Sequence, residues 1–487
     1  MPYLDMRQYL DALEAAGELQ RVPGQVDWDQ EIGAVAEEAI RKHLGALLFE
    51  NIKDYQRTHG RKLLINTTES PRRVAIALGL PPDTPPLDIV RTCKQREKNL
   101  IKPRVVKSGP CKEVIHRDGD IDLLEFPAPK LHAQDGGRYL QTYGGVVTRD
   151  PESDWMNVAI YRGMVHDKTS MGFLWVPTQH WGIHGRKYRA MGKPMPMAVT
   201  IAAGALAPLT YYAHLPVGVC EYDLMGAFAQ EPVELVPCET VDLLVPASSE
   251  IVLEGEMSLD PSTFRQEGPF GEYPGYYTSV WSEPRPVFKV KCITHRKDPI
   301  LQSQIPGMYI HEPIPHTTLI SSAQVWNRLE AAGIEGITAV YIEPAQPAVI
   351  YIALDTRFYG HARQVAAAVW SLGMNYTGKY VIVTDSDVDI TNAAKVMAAV
   401  ANRTQASRDL VVFPGIHGGL LDPSMDPEIK RRTGIGSWDA VLIDATWPMD
   451  WEPREEWGGL RHPPLCTAEP ELVEKVRERW HSYGFQQ

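Results

Sequence analysis

No uninterrupted apolar run in this chain approaches the ~20 residues that a helix needs to span a bilayer. The opening stretch MPYLDMRQYLDALEAAGEL has neither a basic head nor an apolar core, so no signal peptide is expected. Cysteine is scarce. The six residues Cys93, Cys111, Cys220, Cys238, Cys292 and Cys466 are scattered, with no C-x-x-C pair, which fits reduced, mostly buried thiols in a cytoplasm. Positive charge is in deficit: 49 Lys+Arg stand against 61 Asp+Glu, a net charge of −12. That argues against nucleic acid, whose affinity for protein comes mainly from cationic contacts with phosphate. A small anionic substrate needs only one or two local cations and is not excluded. There is no internal repeat and no low-complexity tract. What remains is ordinary globular composition, 44% apolar and 23% charged over 487 residues. At ~100–200 residues per domain, that length suggests two to four domains or subdomains.

Residues 5–16 read as a helix: Asp5 can cap it, Met6, Tyr9, Leu10 and Leu13 form one stripe, and Gly17 can end it. Residues 29–43 read as a second helix. LLFENI (47–52) and KLLINT (62–67) read as short strands, and 70–105 as mostly helical. From about 120 to 300, β-rich runs alternate with Gly/Pro turns, the texture of a β-barrel or sandwich core. A helical stretch over about 317–333 follows the Pro-rich QIPGMYIHEPIPH (304–316). Strand and helix patterns then alternate, as in a separate α/β domain, and a last helix is expected over 470–482.

Several tempting motifs fail. GMNYTGKY (373–380) nearly matches a P-loop, but Tyr380 stands where Ser or Thr is needed and a strand follows. DSDVDI (385–390) opens like a calcium loop, yet it has Ile390 where glycine is needed and Val396 where the bidentate Glu belongs. HEPIPH (311–316) has the wrong spacing and two prolines for a zinc-binding helix. Neither G-x-S-x-G nor G-x-G-x-x-G occurs.

Three segments keep their chemical interest. WMNVAIYRGMVH (155–166) reads as one strand, on which Asn157 and Arg162 have opposite parity and so serve different faces; the alternative is a turn Asn and a solvated Arg. VPTQHWGIHGRKYRAMGKP (176–194) places Gln179, His180 and His184 beside Arg186, Lys187 and Arg189. A metal and an anionic cofactor would suit it, as would a hydrogen-bonded His on a solvated basic helix. QEGPFGEYPGYY (266–277) sets Glu267 and Glu272 either side of a Gly-Pro-Phe-Gly turn among aromatics. Low dielectric and a like charge would raise one carboxyl and make it a general acid, whereas two exposed loop acids are the plain alternative.

Taken together these segments resemble the UbiD family of reversible, prenylated-FMN-dependent decarboxylases. The resemblance runs nearly end to end, through FPAPKLHAQDGGRYLQTYGG (126–145), NVAIYR, PTQH, GVCEYDLMGA (218–227), VPASSEIVLEGE (245–256), EGPFGEYPGY and RWHSYGF (479–485). It implies an α+β fold. An N-terminal α/β part (1–120) and a split β-barrel, flavin-reductase-like domain (121–305) would bind the flavin and metal. A linker loop and helix (306–335) would lead to a C-terminal α/β oligomerisation domain (336–487).

It also implies roles. Asn157, His180 and Glu221 match the family's divalent-metal ligands, usually manganese, which hold the flavin phosphate; a potassium ion usually sits nearby. Asn157, Ile160, Arg162, Gln179, His180 and Glu221 would hold the cofactor. Arg162, Glu267 and Glu272 match a catalytic Arg-Glu-Glu network. Loss of CO2 from an sp2 carbon leaves a carbanion orthogonal to the π system, which no side chain can stabilise, so an electrophilic cofactor must take the electrons. The resemblance implies a covalent substrate–prenylated-flavin adduct, with Glu272 as proton donor.

FPGIHGGLLDPS (413–424) resembles the phenolic-acid branch, in which His417 would contact a ring hydroxyl or assist proton transfer; His316 is a further pocket candidate. A hydroxybenzoate-, protocatechuate- or vanillate-like acid is expected, with heteroaromatic, fused-ring and acrylic acids as alternatives. A flavin-binding or assembly partner without lyase activity is the reading from a different class, and a plain metallohydrolase a weaker one. The implied partners are the acid and CO2, a flavin prenyltransferase that supplies the cofactor, and further copies of the chain in a homodimer or homohexamer.

Overall fold

A computed structural model of the chain describes residues 2–277, 282–306, 315–373, 377–433 and 436–485, the side chains of 315, 316 and 433 excepted. Among these residues it has three main sheets with helices packed against them. The first helix, Met6–Ala15, forms as its pattern requires. Asp5 accepts a hydrogen bond from the backbone N–H of Gln8, which satisfies one orphan donor of the first turn, and Met6, Tyr9, Leu10 and Leu13 are its buried residues. The next helix is Glu31–Arg41.

The small sheet orders its strands Leu19–Val22, Ala46–Phe49, Lys62–Ile65 and Ile300–Gln302. Its last strand lies more than 230 residues away in the chain, pairing parallel with Lys62–Ile65. In exchange, Val114–Arg117 leaves the N-terminal region and pairs antiparallel with Val287–His295 in the large sheet. The two layers are thus interlocked by strands from opposite ends of the region.

The large sheet has nine strands in the order Tyr139–Gln141, Gly163–Asp167, Ser170–Phe173, Val287–His295, Ile251–Ser258, Met195–Ile201, Gly145–Arg149 and Met156–Ala159, with Val114–Arg117 also on Val287–His295. It is antiparallel throughout. Among the described residues this path is open, and its two end strands do not pair with each other, so the sheet does not close into a barrel. Phe173, Trp181, Val199, Leu253 and Phe288 are buried in the core beneath it.

One expectation is corrected here. Residues 155–166 do not form a single strand. The strand Met156–Ala159 ends, Ile160–Arg162 turns away, and Gly163–Asp167 begins elsewhere in the sheet. Gly163 permits this join: a Cβ there would sit 2.7 Å from the Phe173 ring. Tyr161, stacked on Trp181 with centroids 3.9 Å apart, anchors the turn.

The helix Pro315–Ala331 leads to a five-stranded mixed sheet, Ile337–Ile342, Val349–Leu354, Tyr380–Asp385, Ser437–Ala445 and Leu410–His417. Helices His361–Ser371 and Ala393–Arg403 connect its strands. The calcium-like acids here have other partners: Asp387 pairs with Arg403 at 2.7 Å and Asp389 with Lys395 at 3.2 Å. The C-terminal helix is Pro470–Glu478, followed by a short 3-10 turn, Trp480–Tyr483. The six cysteines are unpaired. No described helix is long and apolar enough to cross a membrane.

Candidate active site

A cavity of about 970 Å³ lies between the large sheet, the helix Pro315–Ala331 and the C-terminal sheet. Small-molecule pockets range over about 300–1,000 Å³, so this one has room for a large guest. Asn157, Ile160, Arg162, Gln179, His180, Glu221 and Glu272 all line it. Asn157 and Arg162 therefore share one pocket, against the parity expected of a flat strand, because the chain breaks at 160–162 and re-aims Arg162.

On one wall, Asn157 comes from the strand Met156–Ala159, His180 opens the helix His180–Ala190, and Glu221 opens the helix Glu221–Ala229. The Glu221 carboxylate accepts the backbone N–H of Val158 at 2.7 Å, which sets it beside Asn157. Trp155 packs its ring edge-on against His180, with centroids 5.0 Å apart. Burial pushes the Glu221 carboxyl up to about 8. Among the described residues no Lys or Arg pairs with it. Burial, with the Arg328 guanidinium adding to it, holds the His180 imidazole below its ordinary value, so it is neutral and offers a lone pair. A buried carboxylate without a counter-charge, a neutral imidazole and an amide oxygen form a donor set that suits a hard or borderline divalent cation.

On the other wall Arg162 bridges two carboxylates. It donates from Nε to Glu267 Oε1 at 3.1 Å and from Nη2 to Oε2 at 2.9 Å, and its Nη1 donates to Glu272. Glu267 is 1% exposed and lies behind the guanidinium, outside the cavity lining; Glu272 faces the cavity. The turn between them contains Gly268, whose φ of +81° favours glycine. Phe270 lies under the guanidinium at 5.3 Å and packs against Tyr139 at 4.3 Å. Burial raises the Glu272 carboxyl despite the Arg162 charge beside it, so a proton is retained above the ordinary carboxyl range.

The basic cluster of 186–189 does not reach the cavity. Lys187 pairs with Asp150 at 2.8 Å, and Arg186 donates to the Pro177 carbonyl. His184 is also withdrawn: it is fully buried beneath Trp155, with Nδ1 on Thr148 Oγ1 at 2.9 Å. His417, at the end of the strand Leu410–His417, lines the cavity mouth and is exposed. The side chain of His316 lies outside the described residues.

Two contributors carry no sequence signal. Tyr139, fully buried, donates its hydroxyl to Glu267 Oε1 at 2.9 Å. Arg328 reaches the cavity from the helix Pro315–Ala331 and donates to the carbonyl of His214. Tyr139 lies within the segment 126–145 but carries no chemical signal there, Arg328 sits in no motif, and only the tertiary fold brings both in.

Family models of the UbiD 3-octaprenyl-4-hydroxybenzoate carboxy-lyase match in three parts: an N-terminal domain over 10–93, a Rift-related domain over 104–309 and a C-terminal domain over 316–445. The pyrrole-2-carboxylic acid decarboxylase of Pseudomonas aeruginosa is 34% identical over 99% of this chain and 98% of its own. The vanillic acid decarboxylase of Sedimentibacter hydroxybenzoicus, solved in a closed form, superposes with a TM-score of 0.83 at 30% identity, covering 99% of each chain. An evolved dimeric form of HmfF from Pelotomaculum thermopropionicum, in complex with prFMN, has a TM-score of 0.80 at 28% identity, covering 97% and 98%.

Proposed function

The chain belongs to the UbiD family of carboxy-lyases, and on that footing we propose that it reversibly decarboxylates a phenolic aromatic acid of the hydroxybenzoate, protocatechuate or vanillate type with prenylated FMN. The observation that carries this reading is Arg162 joined to two buried carboxylates on one wall of a large cavity, opposite an Asn157/His180/Glu221 donor set. The relatives that act on vanillic and pyrrole-2-carboxylic acids support the aromatic class.

In this reading Asn157, His180 and Glu221 would hold a manganese ion for the flavin phosphate, with a potassium ion as a further cofactor, and Ile160 and Gln179 would help to hold the flavin. When bound, the cofactor supplies an electrophile that accepts the electrons of the breaking C–C bond. The chain does the rest. Ile160, Phe270, Leu420 and Leu421 make an apolar surround that favours loss of a charged carboxylate. Glu272, whose carboxyl burial shifts upward and so toward its proton-bearing form, delivers a proton to the carbon that CO2 has left. Arg162 positions that carboxyl and grips both oxygens of Glu267 behind it. His417 meets the ring hydroxyl from the C-terminal side, and His316 stays a secondary candidate.

The nine-stranded sheet is read as the split-barrel core of a catalytic domain over 121–305, with 1–120 as its α/β part, 306–335 as linker and 336–487 as an oligomerisation domain in a cytoplasmic homo-oligomer. Approach of the C-terminal sheet to the cavity would exclude water during turnover. A flavin prenyltransferase would supply the cofactor. The pyrrole-2-carboxylate relative favours a heteroaromatic acid as the second reading.

The test is a substrate panel. The chain is co-expressed with a flavin prenyltransferase and offered hydroxybenzoate, protocatechuate, vanillate, pyrrole-2-carboxylate and cinnamate in deuterated buffer. Conversion of a phenolic acid, with deuterium at the product carbon, is expected. Cofactor-loaded protein that converts only the heteroaromatic or acrylic acid would overturn the substrate assignment.

A further inference from the structure

A second cluster of ligand-type side chains lies apart from the residues that line the large cavity. His59 stands in the loop between the strands Ala46–Phe49 and Lys62–Ile65, His116 on Val114–Arg117, and His295 at the end of Val287–His295. The antiparallel register sets His116 opposite Ile293, so His116 and His295 are diagonal neighbours on one face of the sheet. Ligand atoms of the three rings all lie within 4.8 Å of one another. His59 and His116 line a cavity of about 350 Å³ with Asp120, Asp122 and Glu125, and His295 is buried beside them.

We propose that His59, His116 and His295 form a structural site for a borderline divalent cation such as zinc, separate from the decarboxylase cavity. The hydrogen bonding around His295 is the main argument. Its Nδ1–H donates to the backbone carbonyl of Arg296 at 2.7 Å, which leaves Nε2 as a bare lone pair. A metal-binding histidine is commonly oriented in this way, by a carbonyl on its other nitrogen. That lone pair faces Nε2 of His116 at 2.9 Å. A single proton fits between two such nitrogens, and a metal ion takes that proton's place.

The third ring is also positioned. The His59 backbone N–H donates to Glu125 Oε2 at 3.2 Å, which ties the loop to the rim of the cavity. Three imidazoles leave one position of a tetrahedral zinc open to water or a carboxylate. Asp122 is engaged by Lys168 at 2.6 Å, which leaves Asp120 and Glu125 as the lining acids for that place. Burial holds the His116 imidazole below its ordinary value and pushes that of His295 down to about 4, so both lone pairs are available at neutral pH. A metal here would clamp the 53–61 loop onto the edge strand Val114–Arg117.

The experiment uses the full chain, stripped with chelator and titrated with Co²⁺ and Zn²⁺. It compares wild type, Glu221→Gln, and the variants His59→Gln and His116→Gln. Wild type and Glu221→Gln are expected to show a nitrogen-rich, tetrahedral Co²⁺ spectrum. They should also show a rise in thermal midpoint with zinc. His116→Gln should lose both signals, and His59→Gln should weaken the binding at least tenfold. His59 is exposed on a loop, so its substitution leaves folding intact and keeps the test decisive. Identical cobalt spectra, zinc affinity and stoichiometry in wild type and both histidine variants would overturn the proposal, the rings then being held by hydrogen bonds alone.

Discussion

The guanidinium of Arg162 meets Glu267 in a two-pronged grip, Nε on Oε1 at 3.1 Å and Nη2 on Oε2 at 2.9 Å. The fork uses both oxygens of one acid and leaves Nη1 for Glu272. A lysine carries the same charge but lacks the fork. Arg162→Lys is expected to keep the fold and bound flavin and to lose at least a hundredfold in kcat. Arg162→Met leaves two carboxylates facing each other and should cost about 3–5 kcal/mol of stability. Denaturant unfolding, alongside single-turnover decarboxylation, checks both.

Glu272→Gln removes the proton donor without changing its shape. General acid catalysis is typically worth about 10²–10⁴ in rate, and a loss of that order is expected while flavin absorbance persists. Unchanged activity would remove Glu272 from the mechanism.

The same residue sets a pH signature. Its folded pKa lies above the ordinary 4.5, so the folded chain binds a proton more tightly than the unfolded one. This contribution is complete below about pH 4.5 and is lost as pH rises through the folded value. Stability measured across that window should fall less steeply in Glu272→Gln than in wild type, and kcat of wild type should fall with rising pH over the same range.

Tyr139→Phe keeps a buried ring of nearly the same size and deletes one hydrogen bond to Glu267. Glu267 keeps Arg162, so the cost to stability is expected to be about 1.5–3 kcal/mol, as for a hydrogen bond to a charged group. Activity should drop about tenfold with KM unchanged, a pattern that marks Tyr139 as a positioning residue.

His417→Ala should raise KM for a phenolic acid about tenfold, by loss of one polar contact, and leave the thermal midpoint unchanged, since the side chain is exposed. Acids without a ring hydroxyl should be insensitive to the substitution.

Local pattern made a good part of this legible. The cap at Asp5 and the stripe Met6, Tyr9, Leu10 and Leu13 specify the first helix through contacts only a few residues apart. The alternation after 336 likewise yields its strands and helices. The pocket residues emerged from motif combination, and Asn157, Arg162, His180, Glu221 and Glu272 do converge on one cavity. Parity misled where a glycine and a stacked Tyr161 break the strand, because periodicity assumes unbroken backbone. At 186–189 the sequence left a cofactor-binding cluster and a solvated basic helix both open, and the second is what forms, with Lys187 on Asp150, an acid 37 residues earlier in the chain. Tyr139 and Arg328 act through contacts that are distant in sequence, and local reading does not reach such contacts.

The exchanged strands bear on how this enzyme can be cut apart. Because Ile300–Gln302 completes the small N-terminal sheet and Val114–Arg117 is stitched into the large one, neither half owns all of its own scaffold. A fragment stopping short of residue 300 would expose the raw edge of Lys62–Ile65 and invite foreign pairing. Nascent chain leaving the ribosome must likewise wait until Gln302 has emerged before the first layer can be sealed.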